Sequence, residues 1–154
     1  MMLAALGLIL STATFFFCLQ AACRRILRRR FERDYFRSVA DAHGLEFPSL
    51  QKSLEELDAP LEYSRLCVML ERDFLTLTYL LKCLANVDQR SSSEERLLTL
   101  YFRCQFHSLA ARRLFRLGEE RTMLELTSVL EYLANSVGQR EEVRSRLTHV
   151  FDRM

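Results

Sequence analysis

The chain begins with a long apolar stretch. Between Met1 and Cys23 every side chain is uncharged, and leucine, alanine and phenylalanine are the commonest residues. A helix needs about 20 predominantly apolar residues to cross the hydrocarbon core of a bilayer. The hydroxyls of Ser11, Thr12 and Thr14 can donate to backbone carbonyls one turn earlier, so they are compatible with lipid. The pattern predicts a transmembrane anchor over residues 1–23.

A basic amphipathic pattern follows the apolar stretch. Arginines recur through residues 24–43, and an apolar stripe runs between them at helical spacing. His43-Gly44 is a typical helix stop, since glycine is the usual residue just past a helix end. The segment therefore predicts a juxtamembrane helix that continues to Ala42. The stripe consists of Leu27, Phe31, Tyr35, Val39 and Ala42.

Residues 44–59 form a connector between this helix and the rest of the chain. Pro48-Ser49 can open a short helix, and Pro60 closes it. Leu50, Leu54 and Leu57 would form its apolar face.

The most distinctive pattern in the remaining chain is an internal similarity at an offset of 49 positions. Residues 71–86 match residues 120–135 at nine of sixteen positions, including the final Asn86 and Asn135. Each copy carries leucines at i, i+4 and i+7, which line one helix face. These leucines are 77, 81 and 84 in the first copy and 126, 130 and 133 in the second. The similarity indicates a duplicated helical unit.

The duplication predicts an all-α bundle over residues 60–154, built from two similar antiparallel hairpins. The first spans about 60–116 and the second about 119–154. Because asparagine tolerates the left-handed conformation that closes a helix, Asn86 and Asn135 are interpreted as helix ends. The predicted helices cover 60–87, 94–116, 119–136 and 140–153.

Charge is distributed unevenly along the chain. The formal net charge is only +2, yet residues 24–43 hold seven arginines against three acidic residues. A basic segment beside a hydrophobic span is typical of contact with lipid phosphates and argues against a nucleic-acid partner. By the positive-inside rule, these arginines place the N-terminus outside and the C-terminal domain in the cytoplasm. The predicted topology and headgroup residues are Arg24, Arg25, Arg28, Arg29 and Arg30.

Two other interpretations use the same N-terminal residues. Ala21-Ala22-Cys23 could be a signal cleavage site or part of a lipoprotein acceptor sequence with Cys23 lipidated, which would make the chain secreted or lipid-anchored. A signal peptide usually begins with positive residues, whereas here the charges follow the apolar stretch and resist translocation.

The helix predicted over residues 97–117 is apolar around more than half of its circumference. A peripheral helix in a small bundle needs an apolar stripe of only about 100°. The helix is therefore either central in the bundle or covers a partner, which could be another protein or a second copy. The first bundle helix has a similar excess of apolar residues, which are Leu66, Val68, Met69, Leu70, Phe74, Leu75, Leu77, Tyr79, Leu80, Leu81 and Leu84. The candidate partner surface consists of Tyr101, Phe102, Phe106 and Phe115.

No catalytic, cofactor-binding, metal-binding or small-molecule motif stands out. Cys104 and His107 lie on one helix face, but two ligands do not complete a zinc site, and we interpret them as packing residues. The sequence thus favours a non-enzymatic adaptor that docks a protein partner at the cytoplasmic membrane face. The alternative is a small accessory subunit whose membrane helix packs within a transport, secretion or energy-converting complex.

Overall fold

The structure is a computed structural model, and it describes residues 2–28, 34–49, 63–88, 93–115 and 119–151. Within these ranges the chain is helical without any strand, which confirms the all-α prediction. Residues 47–49 are also helical. The longer helices are α1 (Met2–Leu27), α2 (Phe36–His43), α3 (Tyr63–Asp88), α4 (Ser93–Phe115) and α5 (Glu119–Phe151).

Helix α5 is the centre of the fold, because α1, α2, α3 and α4 all pack against it. The two predicted leucine faces are both buried. Leu77 on α3 and Leu126, Leu130 and Leu133 on α5 are 0% exposed, and Leu81 and Leu84 are less than a tenth exposed. The i, i+4, i+7 spacing thus locates the residues that form the core.

Helix α1 extends beyond the predicted anchor and ends at Leu27. Its last turns belong to the bundle, since Leu19 is 6% and Cys23 0% exposed. The continuous helix predicted from residue 24 to Ala42 is wrong, because Asp34 and Tyr35 are not helical and α2 begins only at Phe36.

The end of α2 agrees with the sequence. The helix stops at His43, and Gly44 adopts the left-handed conformation with φ 62°. The N–H groups of Gly44 and Leu45 both donate to the carbonyl of Ala40. Glycine closes the helix here because it meets no Cβ penalty at positive φ.

The connector after Gly44 is fastened to α3. The buried carboxylate of Asp73 accepts the N–H groups of Glu46 and Phe47, each at 2.8 Å. Phe47 itself is fully buried. Leu50, Leu54 and Leu57, the predicted face of the short connector helix, lie outside the described residues.

Helices α3 and α4 touch through an aromatic pair. Phe74 stacks on Phe102 with ring centroids 4.0 Å apart. Asn86 does not end α3, because the helix continues to Asp88.

The second hairpin is a wrong prediction. Residues 119–151 form one helix of 33 residues that passes through the expected turn. Asn135 is 3% exposed, and its Oδ1 accepts the backbone N–H groups of Tyr35 and Phe36 at 2.7 and 2.9 Å. Asn135 therefore caps the start of α2 from α5, instead of ending its own helix.

Gly138 also lies at the contact between α2 and α5. A Cβ at this position would lie 2.3 Å from the Cβ of Tyr35. The polar and glycine residues that resemble a turn are thus the residues that let α2 dock closely on α5.

Candidate functional site

The candidate site is the junction between the apolar part of α1 and the bundle. Among the described helices, one is long and apolar enough to cross a membrane, and the qualifying segment is Ala5–Leu27. Residues 5–18 are all exposed, with Leu8 at 70% and Phe17 at 71%. An apolar helix surface left uncovered over this length is typical of a membrane or partner contact.

The junction itself is held by packing and by an ion pair. The Cys23 thiol lies 4.0 Å from the carbonyl oxygen of Leu97 on α4. The guanidinium of Arg24 donates to Oε1 of Glu125 on α5 at 2.5 Å, and the hydroxyl of Tyr101 donates to Oε2 of Glu125 at 2.8 Å. One carboxylate therefore ties α1 and α4 to α5.

The surroundings of Glu125 determine its protonation. Burial on its own would raise the pKa of Glu125, but the hydrogen bonds from Tyr101 and Arg24 and the charges of Arg24 and Arg121 outweigh it, so the pKa lies below its ordinary value. Burial and the adjacent carboxylate raise the pKa of Tyr101, which stays a protonated donor. The cluster is therefore a charged pair with a neutral hydrogen-bond donor at neutral pH.

This cluster predicts a pH-dependent contribution to stability. Since the folded pKa of Glu125 is depressed, its stabilising effect is present above the ordinary glutamate pKa of about 4.3 and is lost as pH falls through the folded value. We expect Glu125→Gln to lower the free energy of unfolding by about 1 kcal/mol at neutral pH. The difference between the two melting temperatures should shrink below about pH 4.

The comparison must be made between variants, because other carboxyls act in the opposite direction. Burial raises the pKa of both Asp73 and Glu131, so these groups favour the folded state in acid. Tyr101→Phe keeps the Arg24–Glu125 pair and should show a smaller pH-dependent difference than Glu125→Gln. Equal melting temperatures for wild type and Glu125→Gln at neutral pH would contradict this role.

The predicted headgroup arginines differ in their surroundings. Arg24 is bound to Glu125 and is therefore partly withdrawn from the proposed lipid contact. Arg25 and Arg28 line an open hollow on α1 together with Phe17 and Gln20. Neither arginine forms an ion pair or side-chain hydrogen bond to another described residue. Arg29 and Arg30 lie outside the described residues.

The candidate partner surface is largely internal. Tyr101 and Phe102 are each 2% exposed within the chain itself, and Phe106 is half-buried beside Phe102. The prediction of a docking surface is therefore corrected for Tyr101 and Phe102, because other helices of the same chain already cover both side chains. The side chain of Phe115 lies outside the described part of the chain.

The exposed apolar residues of the bundle lie mainly on α3. Val68, Leu75 and Tyr79 are 57–67% exposed and recur at helical spacing, and Leu100 on α4 is 45% exposed. In the sequence, the three residues on α3 belong to the first bundle helix, which carries more apolar residues than one buried face requires. By contrast, the positioning roles of Asp73, Asn135 and Gly138 were missed, since each depends on a contact with a distant segment.

The described residues contain no cluster of three or more His, Cys, Asp and Glu side chains arranged to hold a metal ion. Cys104 is half-buried and His107 exposed on α4. Comparison with protein-family models, with curated proteins and with solved structures found no match to this chain.

Proposed function

We propose that this chain is a single-pass, membrane-anchored helical adaptor without catalytic activity, which holds a protein partner at the cytoplasmic face of a membrane. One observation carries the proposal: α1 leaves the bundle as an exposed apolar helix, while its last turns are packed into the bundle core. A single helix thus forms the anchor and contributes to the bundle core.

The geometry supports a domain that lies directly against the membrane. Residues 2–18, which precede Leu19, the first position described as buried, span about 25 Å as a helix, at 1.5 Å per residue. The hydrocarbon core of a bilayer is about 30 Å thick. Leu19 and Cys23 therefore lie near the headgroup level, and the bundle that buries them lies close to the lipid surface. A partner bound there gains effective concentration at that surface.

The buried end of α1 supports retention of the N-terminal segment. Cleavage after Ala22 would remove Leu19, which is 6% exposed, from the core. Lipidation of Cys23 would require space at a side chain that is 0% exposed. The adaptor proposal therefore takes the segment as a permanent anchor.

Orientation is tested by neutralising the membrane-side arginines. We propose Gln at positions 25, 28, 29 and 30 in one variant, with Arg24 kept so that its ion pair with Glu125 survives. The positive-inside rule predicts a mixture of orientations, measured as partial protection of the C-terminal domain from protease added to sealed vesicles.

The matched control replaces four arginines on the exposed bundle surface with Gln. It removes the same charge far from the span and should keep the wild-type protection pattern. If the juxtamembrane variant also keeps that pattern, the assigned topology is wrong. The control positions are Arg65, Arg72, Arg144 and Arg146.

Anchoring is tested with a chain that starts at residue 18 and so keeps every buried residue of α1 that the structure describes. The full chain should remain in the membrane pellet after alkaline carbonate extraction, and the shortened chain should be released. Release of both chains would contradict the membrane span.

The accessory-subunit alternative rests on the exposed surface of α1. A Cβ added at Gly7 would meet nothing within 4 Å, so another membrane helix could approach there. Affinity purification in mild detergent separates the two functions. Partners that stay with the chain starting at residue 18 favour the adaptor, and partners lost with the span favour the accessory subunit.

A further inference from the structure

A groove lies between α3 and α4. Both helices pack mainly against α5, and the stacked pair Phe74–Phe102 joins them at one end of the groove. Beyond that pair lies an open volume of about 710 Å³. Such a volume is within the range of protein binding clefts.

The walls of the groove are apolar or internally satisfied. Leu75 and Tyr79 present exposed side chains, and Leu81 lies beneath them. The hydroxyl of Thr78 donates to the carbonyl of Phe74 at 2.8 Å, and that of Thr99 donates to the carbonyl of Glu95 at 2.7 Å. These two hydroxyls therefore do not need a hydrogen-bond acceptor from a ligand.

The unpaired charged groups at the groove are all positive. The carboxylate of Glu95 is paired with Arg140 at 2.7 Å. Lys82, Arg96 and Arg103 are exposed, and none of the three has an ion pair or hydrogen bond with another described residue. An apolar trough with three free cations at its rim is complementary to a ligand that is both apolar and anionic.

The walls also determine the backbone form of the ligand. Both are α-helices whose backbone groups are already satisfied, so the groove offers only side chains. An extended peptide would find no backbone hydrogen-bond partners on these walls and would depend on water for them, whereas a helix satisfies its backbone groups internally. The stretch of α3 from Leu75 to Lys82 is about 10 Å long, which matches two helical turns.

We propose that the α3–α4 groove binds an acidic amphipathic helix of a partner protein, with apolar anchors over Leu75 and Tyr79 and carboxylates against Lys82, Arg96 and Arg103. The inference names the partner class of the proposed adaptor and so rests on that function for its cellular meaning. Binding in the groove does not depend on the membrane span.

The test uses the full chain in mild detergent and a fluorescent synthetic peptide. The peptide carries leucines at i, i+3, i+4 and i+7 and glutamates on the flanking positions, and a second peptide carries lysines in place of the glutamates. By fluorescence anisotropy, the acidic peptide should bind saturably and at least about tenfold more tightly than the basic one.

Two substitutions in the groove should weaken this binding. Arg103→Glu should reduce affinity for the acidic peptide about tenfold. Tyr79→Ser should reduce it without altering the melting temperature, because Tyr79 is 67% exposed. Arg65→Glu, a charge reversal at another exposed arginine, on α3 and outside the groove, is the matched control and should leave binding unchanged.

Several results would overturn the proposal. They are equal binding of the two peptides, no acidic-peptide binding below about 1 mM, and an equal loss in Arg65→Glu and Arg103→Glu. Displacement of the peptide by phosphatidylglycerol but not by phosphatidylcholine would identify a lipid ligand instead. A wild-type dimer that Arg103→Glu converts to a monomer would identify a second copy. Each result is independent of carbonate extraction, so failure of the groove and failure of the anchor are distinguishable.

Discussion

Leu130→Asp is expected to unfold the bundle. Leu130 lies in the middle of α5, the helix that all the other long described helices contact, and it is 0% exposed. An aspartate there removes apolar packing and places a carboxylate where water cannot reach it. The cost should be at least about 4 kcal/mol, a large part of the stability of a domain this size. The measurement is thermal melting by far-UV circular dichroism in mild detergent.

The control is Leu124→Asp on the same helix. Leu124 is 39% exposed, so its substitution should cost about 1 kcal/mol or less. The two variants introduce the same charge six residues apart on one helix and differ mainly in burial. A native melting profile for Leu130→Asp would show that the assigned core face is wrong.

Gly138→Val should detach α2 from α5. Because even a Cβ at this position lies 2.3 Å from the Cβ of Tyr35, the larger side chain forces the two helices apart. Such overpacking typically costs about 3 kcal/mol, well above the small gain in helix propensity on replacing glycine. Tyr35 and Phe36 would also lose the hydrogen bonds that their N–H groups donate to Asn135.

Hydrogen exchange locates this effect. Amides of α2 should exchange faster in Gly138→Val, while those in the middle of α3 change little, because separation of α2 is a local opening. Gln139→Val, at the exposed neighbouring position, should leave exchange in α2 as in wild type. Unchanged α2 protection in Gly138→Val would mean that the close contact with Tyr35 is not required for docking.

The sequence predicts the role of Leu130 but not that of Gly138. The i, i+4, i+7 leucines identify Leu130 as core directly, since a helix places those positions on one face. Gly138 and Asn135 resemble a turn, because glycine and asparagine are common where helices end. Their actual partners, Tyr35 and Phe36, lie about a hundred residues away, and local propensity contains no information about such a pair.

The candidate site shows the same division. The apolar stretch, the arginines after it and the overloaded bundle helices are all visible in the sequence. Tyr101 was predicted to lie on a partner surface but is 2% exposed, because a helix that is apolar around most of its circumference is compatible with either a central or an exposed position. Arg24 resembles its neighbours Arg25 and Arg28, yet only Arg24 reaches the carboxylate of Glu125.

The amino-acid pattern alone was sufficient for the all-α class, the apolar N-terminal helix, the stop at Gly44 and the leucine faces of α3 and α5. These features depend on hydropathy and on the periodicity of a single helix, which are properties of neighbouring residues. The three-dimensional packing decided that α5 is continuous, that α1 enters the core, and that a basic groove opens between α3 and α4. Those features depend on which side chains from distant parts of the chain pack around α5. Such side chains compete for burial and for hydrogen-bond partners only after the helices have come together.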